Sequence, residues 1–146
     1  DGLGPQDRVV LEIDSTVETL YGRQEGAEIG PNPHKPGRPS YHPLLARDRI
    51  SDLVIHHMLR PGNSGTATDI VRFLHHTLDV VRSDGKEREI LARLDSGFEI
   101  DEVMRLLERR GVGDVIKMRG TWSVTSTLHG LGPKAWRRAG LGAVWR

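Results

Sequence analysis

The segment VVLEIDSTVETLYG, from Val9 to Gly22, has the residue pattern of a β-strand with a carboxylate in its middle. Val9, Leu11 and Ile13 alternate with more polar neighbours, and β-branched residues continue the pattern farther along the chain. A carboxylate on a central strand loses solvation, and an unpaired buried charge is costly. The presence of Asp14 in this strand therefore needs an explanation.

The length and composition favour one globular domain. The chain has 146 residues, of which 36% are hydrophobic and 28% are charged. No run approaches the roughly 18 apolar residues of a membrane span, and the first residues, DGLGPQDR, lack the features of a signal peptide. The absence of cysteine excludes disulfides and cysteine-based zinc sites. We therefore expect a cytoplasmic protein with no membrane partner.

The charge is unevenly distributed along the chain. After Asp114 there is no acidic residue, whereas the last 32 residues contain six basic ones, Lys117, Arg119, Lys134, Arg137, Arg138 and Arg146. Such a basic end predicts a polyanionic partner, although a solvated chain end is an equally good interpretation.

The hydrophobic periodicity predicts the element order β-β-β-α-β-α-β. Strands are expected at residues 8–20, 41–48, 51–59, 90–95 and 113–119, and helices at residues 66–81 and 99–111. A loop rich in Gly and Pro occupies residues 22–39. Beyond residue 120 the only regular element suggested is a strand at residues 122–127, and residues 121–146 otherwise read as an irregular basic tail rich in Gly, Trp and Arg.

Asp95 occurs in a setting like that of Asp14. Each aspartate closes or interrupts an apolar strand and is followed by a small hydroxyl-bearing residue. If the two strands are neighbours, the carboxylates meet at their ends and would suit Mg²⁺, which prefers carboxylate oxygens. Glu12 lies on the same face of its strand as Asp14, which makes it a candidate accessory group. The alternative is that each aspartate only caps a turn.

Four segments occur in an order that resembles the DDE transposases of prokaryotic insertion sequences. They are LEIDSTVETLYGRQEGAEIG, KPGRPSYHPLLA, MLRPGNSGTA and ARLDSGF. The most similar branch has a ribonuclease H-like catalytic domain with a β-rich insertion. With the helix and strand that follow, the resemblance extends over about residues 8–120. It implies an α/β, ribonuclease H-like mixed sheet with flanking helices, incomplete at the C-terminus.

The resemblance also implies roles for the two aspartates. Asp14 would be the first catalytic residue and metal ligand, and Asp95 the second. The complete enzyme would use two Mg²⁺ or Mn²⁺ ions to cleave and transfer DNA strands, would act on transposon ends, and would form a homo-oligomer. Such ions activate a water or a 3′-hydroxyl and stabilise the leaving oxygen. A metal would then compensate the charge of Asp14.

One element of the family pattern is missing. The third carboxylate is a Glu on a helix after the fifth strand, but this sequence has no acidic residue after Asp114. The family's DNA-binding region would also precede Asp1. We therefore expect a truncated fragment, inactive alone, with a frame-shifted end. Two alternatives stay open: another ribonuclease H-like nuclease, or a non-catalytic nucleic-acid-binding remnant.

Basic residues near the two aspartates are candidates for contacts with DNA phosphates. They are Arg23, Lys35, Arg38, Arg60 and Arg93. The first three lie in the loop that follows the strand of Asp14, which is equally well interpreted as a solvated loop. Arg93 would alternatively pair with Asp14 or Glu12.

Overall fold

The computed structural model describes residues 8–132 and 135. Eight strands and three α-helices, with one short 3-10 turn, make up this part of the chain. In chain order the elements are β1 (Arg8–Ser15), β2 (Glu18–Thr19), β3 (Glu28–Ile29), β4 (Pro39–Tyr41), β5 (Leu44–Asp48), β6 (Val54–Met58), α1 (Ile70–Val81), β7 (Glu89–Leu94), the 3-10 turn (Ser96–Phe98), α2 (Asp101–Arg109), β8 (Gly113–Ile116) and α3 (Trp122–Gly130).

The main sheet has five strands in the order β6-β5-β1-β7-β8. Strand β1 is central, antiparallel to β5 and parallel to β7, and β8 continues the sheet parallel to β7. The predicted mixed α/β sheet and the order of its strands and helices are confirmed. The crossovers through α1 and α2 bring the C-terminal ends of β1, β7 and β8 to one edge of the sheet, as parallel pairing requires.

Helices α1 and α2 supply the apolar layer against one face of the sheet. Phe73, Leu74 and Leu78 recur at helical spacing along α1 and are fully buried. From the sheet, Leu11 in β1 and Ala92 in β7 point into the same core. The other face of the sheet carries the alternate residues and is more exposed, so polar side chains such as that of Asp14 stay near solvent.

The predicted first strand is too long. Strand β1 leaves the main sheet at Ser15, and the chain then forms a second, three-stranded sheet in the order β2-β4-β3. The predicted strand at residues 41–48 is divided in the same way between the two sheets. Pro43 lies at this division, and because proline has no N–H to donate, a continuous ladder is interrupted there.

The predicted strand at residues 122–127 is also wrong, because this segment begins α3. The Thr121 hydroxyl caps the helix by accepting a hydrogen bond from the Val124 N–H at 3.3 Å. The β-branched residues here favoured a strand, but no residue of α3 is buried, so packing does not enforce either form. Of the predicted irregular tail, residues 133, 134 and 136–146 lie outside the described residues.

None of the helices within residues 8–132 has the length and apolar character needed to cross a bilayer.

We expect the stability of the fold to depend on pH through His56. Its ring stacks on Phe73 at a centroid distance of 4.8 Å, and its Nε2 is buried without a partner among the described residues. Burial, together with the charges of His76 and His57, lowers the pKa of His56 below 6.5. The unfolded chain therefore binds more protons below about pH 6.5, and the free energy of unfolding falls from there towards the folded-state pKa.

We expect His56→Phe to remove most of this dependence, because phenylalanine keeps the stacking and cannot be protonated. Urea unfolding at pH 7 and pH 5.5 would measure this dependence, with His34→Gln, a change at an exposed histidine away from His56, as the control. Equal losses of stability on acidification in the His56→Phe variant and the unaltered chain would contradict this assignment.

Candidate active site

Asp14 and Asp95 lie at the adjoining ends of two parallel strands. The last paired residues of β1 and β7 are Ile13 and Leu94, so the aspartates stand one position farther along neighbouring strands. Neighbouring strands are about 4.7–4.9 Å apart. Both carboxylates are exposed and line one open groove of about 620 Å³ at this edge of the sheet. The expectation that the two strands are neighbours is therefore correct.

Each aspartate also accepts a hydrogen bond from a nearby backbone N–H, but only Asp95 caps a turn, the 3-10 turn that follows it, as the alternative interpretation proposed. The Asp14 Oδ1 accepts a hydrogen bond from the Ser15 N–H at 2.8 Å, and the Asp95 Oδ1 accepts one from the Gly97 N–H at 2.8 Å. No other hydrogen bond or ion pair joins either carboxylate to residues 8–132 or 135. These hydrogen bonds thus fix one oxygen of each carboxylate and leave the second without a hydrogen bond from the described residues.

The chemistry of this pair fits a hard divalent cation. Mg²⁺ and Mn²⁺ favour carboxylate oxygens and keep several waters, so two carboxylates with free oxygens are a suitable partial ligand set. No cluster of three or more His, Asp or Glu side chains able to hold a metal exists within the part of the chain that the structure describes. Within the described residues, Asp14 and Asp95 are therefore a pair of carboxylates and not part of a larger cluster of this kind.

Glu12 is not free to serve as an accessory ligand. Its carboxylate accepts hydrogen bonds from Arg47 and Arg93, each at 2.8 Å. The hydrogen bond from Arg47 lowers the pKa of Glu12, against the opposing effect of burial, and the nearby arginine charges add to the lowering. The lowered pKa favours the ionised form of Glu12, which pairs with two arginines that flank it on β5 and β7.

Of the predicted phosphate contacts, Arg60 is contradicted by the structure. Its side chain is buried, with the residue only 2% exposed, and its guanidinium donates to backbone carbonyls, including that of His42. The Arg60 side chain cannot reach a phosphate without breaking these hydrogen bonds. Arg93 has the predicted alternative partner, Glu12, yet its side chain remains 48% exposed beside the groove.

The three basic residues of the Gly- and Pro-rich loop are exposed. Arg23, Lys35 and Arg38 belong to the small sheet and its loops, which directly follow the end of β1. The Arg38 guanidinium lies over the Tyr21 ring, 5.5 Å from its centroid. Their role in binding DNA stays a prediction.

Sequence reasoning assigned Lys117 and Arg119 only to the basic end of the chain and did not place them near the two aspartates. Lys117 lines the groove directly after β8, and the Arg119 Nε donates to the Ser96 carbonyl at 3.2 Å, next to Asp95. The signal was present, because a residue that follows a strand parallel to β7 must reach the same edge of the sheet.

The fold indicates the class of domain. The mixed five-stranded sheet with flanking helices resembles the ribonuclease H-like catalytic domains of transposases. Residues 3–142 match the family model described as "Transposase DDE domain group 1". The chain belongs to this family. A comparison with curated protein sequences gives no significant match.

Solved transposases share the fold at low sequence identity. The Mos1 transposase paired-end complex with the left transposon end aligns with a TM-score of 0.54 at 11% identity, covering 82% of this chain and 46% of that one. The Mos1 mariner paired-end complex with Mn gives 0.53 at 10% identity, with 86% and 48% covered. The piggyBac transposase synaptic complex with hairpin DNA gives 0.52 at 16% identity, with 85% and 26% covered. The present chain thus spans less than half of each.

Proposed function

We propose that this chain is part of the catalytic core of a DDE transposase that cleaves and transfers DNA strands with divalent metal ions. The observation that carries the proposal is the placement of Asp14 and Asp95 on adjacent ends of β1 and β7, open to one groove. Family membership supplies the class of reaction, and the fold of the transposases compared above agrees with it.

In this proposal Asp14 and Asp95 hold the metal, Mg²⁺ or Mn²⁺, and the complete enzyme uses two ions. When bound, such ions activate the attacking hydroxyl and stabilise the leaving oxygen of a phosphodiester displacement. The chain's own part is to orient the ligands. The backbone amides of Ser15 and Gly97 each fix one carboxylate oxygen. The pairing of β1 with β7 holds the backbone at both aspartates in place.

The proposed partner is DNA, at the ends of a mobile element. Arg23, Lys35 and Arg38 would contact its backbone from the small sheet, and Arg93 would do so beside the groove with Lys117. The Mos1 and piggyBac complexes contain transposon-end or hairpin DNA. A homo-oligomeric assembly would place two such ends together, as we propose for the complete enzyme.

A second candidate function is nucleic-acid binding without catalysis. It is favoured by one observation: these 146 residues contain no acidic residue after Asp114 that would serve as the third carboxylate of the family. Two carboxylates hold a second ion poorly, so the chain alone should not carry out efficient strand transfer. A different ribonuclease H-like nuclease would share the metal site and differ in its product.

A titration with Mn²⁺, followed by amide NMR of the full chain, tests the metal site. Paramagnetic broadening falls steeply with distance from the ion. Bound Mn²⁺ should therefore broaden the amide signals of Ser15, Gly97 and Lys117 together, at lower Mn²⁺ concentrations than those of the rest of the chain. Broadening that starts instead at the histidines of β6 and α1, or that reaches no residue of the groove, would contradict the proposed site.

An assay on supercoiled plasmid DNA separates the two candidate functions. Metal-dependent nicking that is lost in Asp14→Asn would support a catalytic chain. Salt-sensitive DNA binding without nicking, unchanged in Asp14→Asn, would support the binding function. Efficient strand transfer by the unaltered chain would overturn the expectation that two carboxylates are insufficient.

A further inference from the structure

Arg60 is a buried cation without a carboxylate partner among the described residues. Its Nε donates to the His42 carbonyl at 2.8 Å, and its Nη1 lies 3.0 Å from the Gly65 carbonyl and 3.3 Å from the Thr66 carbonyl, with Thr68 O also in contact. Burying a guanidinium among neutral carbonyls is costly. In this arrangement the planar guanidinium of Arg60 fixes the loop at residues 65–68 by binding three of its carbonyls.

His42 is joined to Arg60 and is also nearly buried, at 8% exposure. The backbone N–H of His42 donates to the Arg60 carbonyl at 2.8 Å, and the Arg60 Nε donates to the His42 carbonyl. The His42 Nδ1 lies 2.8 Å from the Ser64 carbonyl, and since a carbonyl only accepts, Nδ1 carries the proton. The Nε2 is then an acceptor for the Ser15 hydroxyl, 3.3 Å away.

The loop held by Arg60 packs against the turn that fixes Asp95. A Cβ added to Gly97 would lie only 2.6 Å from the Thr66 Cγ2, so the two segments are in direct contact. Gly97 is the residue whose amide donates to the Asp95 carboxylate. A shift of Thr66 would therefore move the donor that orients Asp95.

A parallel path leads from His42 to the other carboxylate. The Ser15 hydroxyl is held by His42, and the amide of the same residue donates to Asp14 at 2.8 Å. We propose that Arg60 and His42 form a positioning pair that fixes the carboxylates of Asp14 and Asp95 relative to one another. The purpose of that alignment, a shared metal ion, rests on the proposed function.

Amide hydrogen exchange in the metal-free full chain tests the positioning pair. In Arg60→Gln, the carbonyls of the loop lose their donor, and we expect exchange at both Ser15 and Gly97 to accelerate at least fivefold relative to amides in the middle of β7. Unchanged exchange at both positions in a folded Arg60→Gln protein would overturn the proposal.

Arg88 provides a matched control. Its side chain is also buried, at 1% exposure, and it donates to the Val81 carbonyl at 3.1 Å while pairing with Asp84. It precedes β7 and so lies at the opposite end of the strand that leads to Asp95. Arg88→Gln should lower the melting temperature without changing exchange at Ser15 or Gly97. An equal acceleration there would show that loss of a buried arginine loosens the fold in general, and would refute the proposal.

His42→Asn keeps the test valid if Arg60→Gln does not fold. Asparagine retains a donor towards Ser64 but does not reach Ser15, so exchange should accelerate at Ser15 and stay unchanged at Gly97. Acceleration at neither residue would contradict the path through His42. The proposed function is judged separately, because its failure would appear as the absence of Mn²⁺ broadening at the groove of the unaltered chain, whatever the exchange rates.

Discussion

Replacing Asp95 with Asn should weaken Mn²⁺ binding at the groove at least tenfold. The asparagine keeps the shape of the side chain and an oxygen for the Gly97 amide, but it removes the charge that a hard cation requires. Asp14→Asn should have an effect of the same size, since both carboxylates line one groove. A tenfold change corresponds to about 1.4 kcal/mol of binding free energy. Electron paramagnetic resonance of free Mn²⁺ measures the affinity directly.

Asp114→Asn is the matched control for this experiment. Asp114 is also an exposed aspartate of the main sheet, in β8, but it does not line the groove. Asp114→Asn makes the same change in net charge. A loss of Mn²⁺ affinity caused only by the overall electrostatic field of the protein would therefore appear in this variant too. Undiminished Mn²⁺ binding in Asp95→Asn, or equal losses in Asp95→Asn and Asp114→Asn, would rule out a shared site at the two strand ends.

Replacing Gly30 with Ala should destabilise the fold by about 1–3 kcal/mol, the usual cost of overpacking. A Cβ at Gly30 would overlap the carbonyl of Gly62 and lie 2.6 Å from the Asn63 Cα. Both obstacles are backbone atoms, which cannot rotate away. Relief therefore requires a shift of the small sheet against the segment that follows Arg60.

Gly120→Ala is the appropriate comparison, because a Cβ at that position would meet nothing within 4 Å. Urea unfolding of both variants would give the two free energies of unfolding. We expect the midpoint of Gly30→Ala to fall clearly and that of Gly120→Ala to stay near the value of the unaltered chain. Equal midpoints would mean that the small sheet is not seated tightly on residues 62 and 63.

The large elements were predictable because their signals are local. The alternation in β1 and β7 and the helical spacing in α1 each follow from which residues the neighbouring layer buries. The errors occurred where that signal was weak. In α3, β-branched residues favoured a strand, yet the segment buries nothing and the Thr121 cap favours the helix.

The proximity of the two aspartates was predictable from the sequence, and the surroundings of the basic residues were less so. Asp14 and Asp95 stand out in sequence because each interrupts an apolar pattern. Arg60 and Arg93 were both predicted phosphate contacts. Arg60 is buried and donates to backbone carbonyls, whereas Arg93 pairs with Glu12, the predicted alternative partner, and stays half-exposed beside the groove. The burial of Arg60 depends on segments elsewhere in the chain, such as that of His42, so no local pattern reveals it.

The sequence by itself thus determined the order of the main elements, the polar ends of two strands and the resemblance to a transposase family. These depend on periodicity and on residue type, which act over a few neighbouring positions. Only the tertiary structure decided which strands are adjacent, that Glu12 is committed to two arginines, and that His42 and Arg60 join the supports of both aspartates. Hydrogen bonds across long stretches of chain require the packed fold to bring donor and acceptor within about 3 Å.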